Sequence, residues 1–330
     1  MKLQFPFIQL PLRYDAAALA AEVAAIDEAC WRPHPQQFEG NSMLPLVAVD
    51  GDPANESFAG VMQPTPYLKA CPYLMQVIAS FGVTAGRSRL MRLSGHAEVT
   101  RHVDQGYYWA ERVRVHVPIV TQPTVRFECG DATVNMAAGE CWIFDTWRQH
   151  NVQNDAVESR IHLVVDTVGG DEFWDFVAQG RPFPMQAGMA IDWQPRLVAP
   201  QPGLRPELAC ETVNVPAVMS PWELNAQLGM LFSDAMPNPQ LPQLQEKAGK
   251  LVRSWRGLWA RYGDGEQGRP KFRALIDRFV AEAHDLSGPP IMLRNLVQIN
   301  SVLGIRISQS AVAGDMPRQG ADERGASDLG

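Results

Sequence analysis

The chain has 330 residues, of which 46% are hydrophobic and 20% charged, and its formal net charge is −7. That length suits one large domain or two ordinary ones, and the composition suits a globular protein that buries a full core without disulfides or a structural metal. The acidic balance excludes broad binding to nucleic acid, which needs a basic face, but a carboxylate can still be held by one or two buried arginines.

At the amino end, MKLQFPFIQLPLRYD carries one Lys and no sustained apolar stretch before Pro11 and Arg13, so no signal peptide is expected. No apolar run approaches the ~18 residues that a membrane span needs. Asp15 is placed to cap a helix through AAALAAEVAAIDEAC to about Cys30, and a Pro- and Gly-containing stretch follows from Pro33 to about Pro72. YLMQVIASFG then reads as a short helix ending at Gly82.

Between about Arg87 and Asp166 the pattern becomes all-β. RSRLMRLS, RVRVHVPIVT, TVRFEC, ATVNM, ECWIFD and RIHLVVD are short, β-branched and mostly alternating, with turns at Gly130-Asp131 and Ala138-Gly139. Closely spaced strands of this kind predict a barrel or jelly roll. Alternation in RVRVHVPIVT puts Arg112, Arg114 and His116 on one face. After Gly170 comes a short helix, DEFWDFVAQG, and then Pro-rich sequence from Arg181 to about Pro206. From Trp222 the spacing is helical, in WELNAQLGMLFSDAM, LQEKAGKLVRSWRGLWARYG, FRALIDRFVAEAHDL and MLRNLVQINSVLG.

The expected organisation is a β domain with N-terminal helices over 1–180, a helical C-terminal domain over 215–310 and a disordered tail over 312–330. Five cysteines, Cys30, Cys71, Cys129, Cys141 and Cys210, form no CxxC pair and read as reduced thiols of a cytoplasmic protein.

The chemistry is expected at His102-Val103-Asp104. Residues two apart in an extended chain point to the same side, so an imidazole and a carboxylate arrive together. His150, after ECWIFD and TWRQ, supplies a third ligand. Two His and one carboxylate make the facial triad of non-haem Fe(II) oxygenases, which leaves positions open for a bidentate 2-oxo acid and for O2. The pair alone is a weak signal, and His96-Ala97-Glu98 has the same spacing but reads as a polar loop. Its strength comes from its place among strands, with His150 following and Arg160 opening RIHLVVD. A buried Arg160 can clamp the distal carboxylate of 2-oxoglutarate, whereas an outward one would be an ordinary strand residue.

The run RVRVHVPIV … GECWIFDTWRQHNVQNDAVESRIHLVVD resembles the aspartyl/asparaginyl β-hydroxylase family of Fe(II)/2-oxoglutarate-dependent oxygenases. The matching features are Arg114 and His116, Gly139, Phe144-Asp145, His150, Asn154, and Arg160 to Asp166, within about residues 87–170. The resemblance implies a double-stranded β-helix with iron at its mouth, His102 and His150 as ligands, and Arg160 on the distal carboxylate. It implies Arg114 and His116 near the metal-proximal end of 2-oxoglutarate; a solvated barrel face is the other reading of that pair. Peptidyl hydroxylases of the family carry Gly where this chain has Asp104, and the carboxylate and the helical C-terminal layout are more similar to bacterial proline hydroxylases.

His162 shares a side with Arg160 and either lines the pocket or is a hydrogen-bonded core imidazole. Tyr107, Tyr108 and Trp109 either cover substrate or pack, and Trp255 and Trp259 are expected in a helical core. The expected function is hydroxylation of an amino acid, free, carrier-bound or in a short peptide, with release of succinate and CO2. The alternatives are a peptidyl aspartyl/asparaginyl hydroxylase and a non-catalytic cupin-like metal-binding module. A small-molecule substrate is expected, with no nucleic acid and no membrane. The helical region is left open between closing the site, forming a homodimer and recruiting a protein partner.

Overall fold

The computed structural model describes residues 1–34, 38–185 and 193–312. The strands in chain order are β1 (Phe7–Tyr14), β2 (Arg32–Pro33), β3 (Asn41–Val49), β4 (Met62–Pro64), β5 (Ala85–Leu93), β6 (Glu98–His102), β7 (Val113–Val120), β8 (Val125–Cys129), β9 (Ala132–Val134), β10 (Glu140–Phe144), β11 (His150–Asn154), β12 (Arg160–Thr167), β13 (Arg181–Phe183) and β14 (Arg196–Val198). Ten of them form a large sheet in the order β13-β1-β10-β7-β12-β5-β3-β2, with β14 paired to β1 and β4 to β3. The other four form a smaller sheet, β6-β11-β8-β9. Two sheets whose strands alternate along the chain and whose inner faces share a core make the double-stranded β-helix expected from the sequence.

Alternation explains the two faces of the large sheet. On β7, Val113, Val115, Val117 and Ile119 join Ile143, Leu163 and Val165 in a core beneath helices α1 (Ala16–Ala24), α2 (Pro72–Ala79) and α3 (Asp171–Ala178), which contribute Leu19, Val23, Leu74, Ile78 and Phe173. Leu163 is fully buried there, and truncation to Ala should cost about 2–5 kcal/mol. The opposite face meets the small sheet through Phe7, Leu93, Phe127, Trp142, Phe144 and Val152. Arg114, His116, Arg160 and His162 lie in the intervening positions of β7 and β12, and so take this inner side.

Several local expectations are corrected. β1 and β3 lie where no strand was read. Both are buried on nearly every residue, so they show no alternation, and each contains a proline. Each proline sits at a register shift, between Gln9 and Arg13 in β1 and at Pro45 in β3, where the missing N–H costs least. Helix α1 ends at Ala24 instead of Cys30, because Asp27 accepts from Ala29 N (2.9 Å) and starts a separate 3-10 turn at Glu28–Cys30. The first compact unit comprises Met1–Asp104 and Trp109–Asn214, beyond the expected limit at 180. Residues 181–185 and 193–214 return to it through β13 and β14 and through Glu211, which takes a two-point bridge from Arg112 (2.8 and 2.9 Å). Arg112 precedes β7 and is committed to Glu211, so it does not share the role expected for Arg114 and His116.

The second unit comprises Gln105–Tyr108 and the chain from Val215 on. Its long helices among the described residues are α4 (Pro221–Asp234), α5 (Leu241–Tyr262) and α6 (Arg269–His284). Ser220 caps α4 by accepting from Glu223 N, with Pro221 at the first helical position. Trp255 is fully buried against Phe272 (4.6 Å between rings) and donates to Met219 O (2.8 Å), whereas Trp259 is half-buried. Residues 292–298, expected as helix, instead make a tight turn. Asn295 accepts from Val297 N, Leu293 N bonds Val297 O (2.8 Å), and helical structure resumes at Ile299. Within this unit Arg306 Nε donates to Gln105 O (3.0 Å). The tail expected to be disordered lies, from 313 on, outside the described residues. Among the described residues no helix is long and apolar enough to cross a membrane.

Candidate metal centre

The small sheet brings His102 and His150 side by side as Cα partners at the ends of β6 and β11, with ring centroids 4.2 Å apart. The loop that delivers His150 is tied by Asp145. Its Oδ1 accepts from Trp147 N (2.9 Å) and its Oδ2 from Arg148 Nε (3.0 Å). Burial raises the Asp145 pKa against the pull of Arg148. The Phe144-Asp145 motif therefore shapes the turn into His150, and Phe144 packs edge-on against the His150 ring (4.9 Å between centroids). Upstream, Gly139 takes φ +80, and a Cβ there would lie 2.4 Å from Tyr14 O, so only glycine fits the turn into β10.

His102, Asp104 and His150 each offer one ligand atom, and these atoms all lie within 4.8 Å of one another. His102 Nε2 is 3.9 Å from Asp104 Oδ1. Each imidazole donates Nδ1–H to the carbonyl two residues upstream, His102 to Thr100 O (2.7 Å) and His150 to Arg148 O (2.8 Å). A carbonyl only accepts, so both rings keep their proton on Nδ1 and present a bare Nε2, the form a metal needs. The Nε2 of His150 and both carboxylate oxygens of Asp104 are buried without a hydrogen-bond partner among the described residues. Such orphaned acceptors are costly and fit a cation. Burial lowers the His150 pKa to about 3, so this ring stays neutral. Burial also opposes ionisation of Asp104, but Arg114, 3.4 Å away, and then the two imidazoles bring its carboxyl below the ordinary value.

Arg114 lies between two carboxylates, with its Nε 3.2 Å from Asp166 Oδ1 and its guanidinium 4.2 Å over the ring of buried Trp109. The sequence reading places it beside the co-substrate; here it forms ion pairs with Asp104 and Asp166. Arg160 is buried, and burial lowers its pKa to about 9, so it remains a cation at neutral pH. Its strand start is fixed by Asn154, whose Nδ2 donates to Leu93 O, Ser94 O and Glu158 O (2.8–3.2 Å). His116 and His162 are buried, and burial pushes both well below the ordinary imidazole value.

His96 and Glu98 are exposed, His96 in a left-handed turn, and they do not join the group. Tyr107 bonds Glu223 within the second unit. Three residues near the site were not singled out from the sequence: His34, Arg87 and Arg89, all buried. Burial lowers the His34 pKa to about 3, helped by the charges of Arg89, Arg87 and Arg114. The signal was present in Arg-Ser-Arg, since alternation turns Arg87 and Arg89 to one side of β5.

Residues 56–169, roughly a third of the chain, match the family model described as aspartyl/asparaginyl beta-hydroxylase, which bears out the motif resemblance and extends it upstream. No curated protein matches. Similar solved structures include a 2OG-Fe(II) oxygenase family protein from Burkholderia pseudomallei (13% identity, 48% of this chain and 80% of that one, TM-score 0.36). They also include a Pseudomonas putida prolyl-4-hydroxylase (19%, 50% and 92%, 0.34) and a Trichoplax adhaerens prolyl hydroxylase bound to a hypoxia-inducible-factor peptide fragment (11%, 52% and 87%, 0.37).

Proposed function

We propose that this chain is an Fe(II)- and 2-oxoglutarate-dependent dioxygenase that hydroxylates an amino acid, with His102, Asp104 and His150 as the iron ligands. The observation that carries the reading is the convergence of two bare imidazole nitrogens and a carboxylate, with the His150 Nε2 and both Asp104 oxygens buried and lacking hydrogen bonds among the described residues, and His102 half-buried beside them. Two nitrogens and one carboxylate favour non-haem Fe(II) over a closed structural zinc site. Iron chelated by a 2-oxo acid supplies the activation of O2 for C–H hydroxylation, with succinate and CO2 released.

The chain's own residues supply charge and position. Arg114 stabilises the ionised form of Asp104 and fixes its plane, which keeps the ligand anionic at neutral pH. Arg160 is a buried cation with no carboxylate partner among the described residues, which suits the distal carboxylate of 2-oxoglutarate. A cupin-like module without turnover would have no need of that cation. His116 lies on the same inner face, walled by Phe127 and Phe144 (5.5 and 5.4 Å), and helps exclude water. Asp104, at the position where the peptidyl enzymes that this chain resembles carry Gly, favours a free amino acid as substrate. The description of the matching family favours a second reading, an aspartyl or asparaginyl side chain within a protein.

The test is a panel of free amino acids and Asp- or Asn-containing peptides incubated with Fe(II), 2-oxoglutarate and O2. A gain of one oxygen on a panel member, matched by succinate and lost in His150→Ala, is expected. Failure of the wild-type protein to form succinate with every panel member would count against the reading.

A further inference from the structure

Arg160 and His162 are two apart on β12, both face the inner side, and both are buried. Arg160 Nη2 lies 2.7 Å from His162 Nδ1. A guanidinium only donates, so Nδ1 must accept; the ring is neutral, with its proton on Nε2. His116 packs edge-on against the His162 ring, crossing it at 76° with centroids 5.7 Å apart, and brings its Nδ1 to 3.4 Å from the same nitrogen. His116 is itself gripped edge-on by Phe127 and Phe144. A chain of contacts therefore runs from the aromatic core to one edge of the guanidinium. Arg160 Nε remains buried and without a partner among the described residues, and so does His162 Nε2. A buried cation whose side-chain partner is a neutral ring still needs an anion.

We propose that His162 is a positioning residue for the carboxylate clamp: it holds one edge of the Arg160 guanidinium, so that the remaining N–H groups meet the distal carboxylate of a five-carbon 2-oxo diacid at a fixed distance. This rests on the reading of Arg160 as the clamp. The fixed edge makes the pair a ruler. An unheld guanidinium can swing to meet a longer diacid; a held one cannot.

The experiment is anaerobic calorimetric titration of 2-oxoglutarate, and separately of 2-oxoadipate, into the Fe(II)-loaded wild type, His162→Leu and His162→Asn, with Fe(II) titrated into each metal-free protein first. Wild type is expected to prefer 2-oxoglutarate. His162→Leu should bind it about tenfold more weakly or worse, since a hydrogen bond to a charged group is lost, and should discriminate less against 2-oxoadipate while binding Fe(II) as wild type does. His162→Asn places Oδ1 where Nδ1 stood and should recover most of both the affinity and the preference. Wild-type affinity and preference in His162→Leu, or no recovery in His162→Asn, would overturn the proposal. Absence of 2-oxoglutarate binding in the wild type would instead remove the oxygenase reading on which it rests. If His162→Leu does not fold, His162→Gln replaces it. Its amide oxygen sits one bond too far out, so weaker binding than in His162→Asn supports the ruler and equal binding rejects it.

Discussion

On the small sheet, His102 and His150 are each oriented by a backbone carbonyl two residues upstream. On the large sheet, Arg160, His162, His116 and Arg114 are oriented by other side chains. Local backbone support makes each imidazole nearly independent of its surroundings, whereas mutual support makes the cationic groups a unit whose members fail together. Orientation of the two imidazoles should therefore survive single substitutions elsewhere in the site, whereas a substitution on the large sheet should spread to its neighbours, from Arg114 to Asp104 among them.

The comparison is broken most directly at His150. His150→Ala should abolish both Fe(II) binding and Fe(II)-dependent succinate formation, while the other ring keeps its orientation; residual iron affinity near wild type would contradict the ligand assignment. Next in size is Arg160→Met, expected to raise the KM for 2-oxoglutarate about a hundredfold through the loss of charge-assisted bonds, with Fe(II) affinity unchanged. An unaltered KM would mean that the clamp lies elsewhere. Arg114→Met should weaken Fe(II) binding by about tenfold or more, because Asp104 loses the group that orients it. An effect confined to 2-oxoglutarate would restore the co-substrate role expected from the sequence.

Stability against pH sharpens the same contrast. His34, held near 3, takes up a proton on unfolding at any pH between that value and the ordinary ~6.5. His116 and His162 do the same from their own lowered values. The unfolded chain then binds more protons than the folded one, so stability is full above ~6.5 and falls with acidification, by up to ~1.4 kcal/mol per pH unit for each imidazole. Urea midpoints of the metal-free protein at pH 7 and pH 5 check this, and a flat profile would contradict it. The smallest effect is expected at His96→Ala with Glu98→Ala. That exposed pair shares the spacing of the ligand pair, yet its removal should leave Fe(II) affinity and turnover unchanged.

How far the site was legible follows from the same physics. That His102, Asp104 and His150 meet, and that Arg160 is turned inward, was readable because spacing and turn punctuation fix which residues share a side. Alternation misleads past a strand end, as Arg112 shows: one residue before β7 it leaves the face and binds Glu211. It is also silent for β1 and β3, which are buried on both faces, and for β6, where Glu98, Thr100 and Arg101 are exposed and only the last residues carry function. The link between His162 and Arg160 was half visible. Their shared side was evident, but a bond between a cation and a neutral ring leaves no mark in composition.

The carbonyl bonds at Thr100 and Arg148 have a consequence for metal uptake. At neutral pH His150 and Asp104 already stand in the protonation states that coordination demands, so neither has anything to release when a cation arrives. These two groups therefore add no proton release to the heat of loading, and the part of its acid dependence that they carry begins only where they start to titrate.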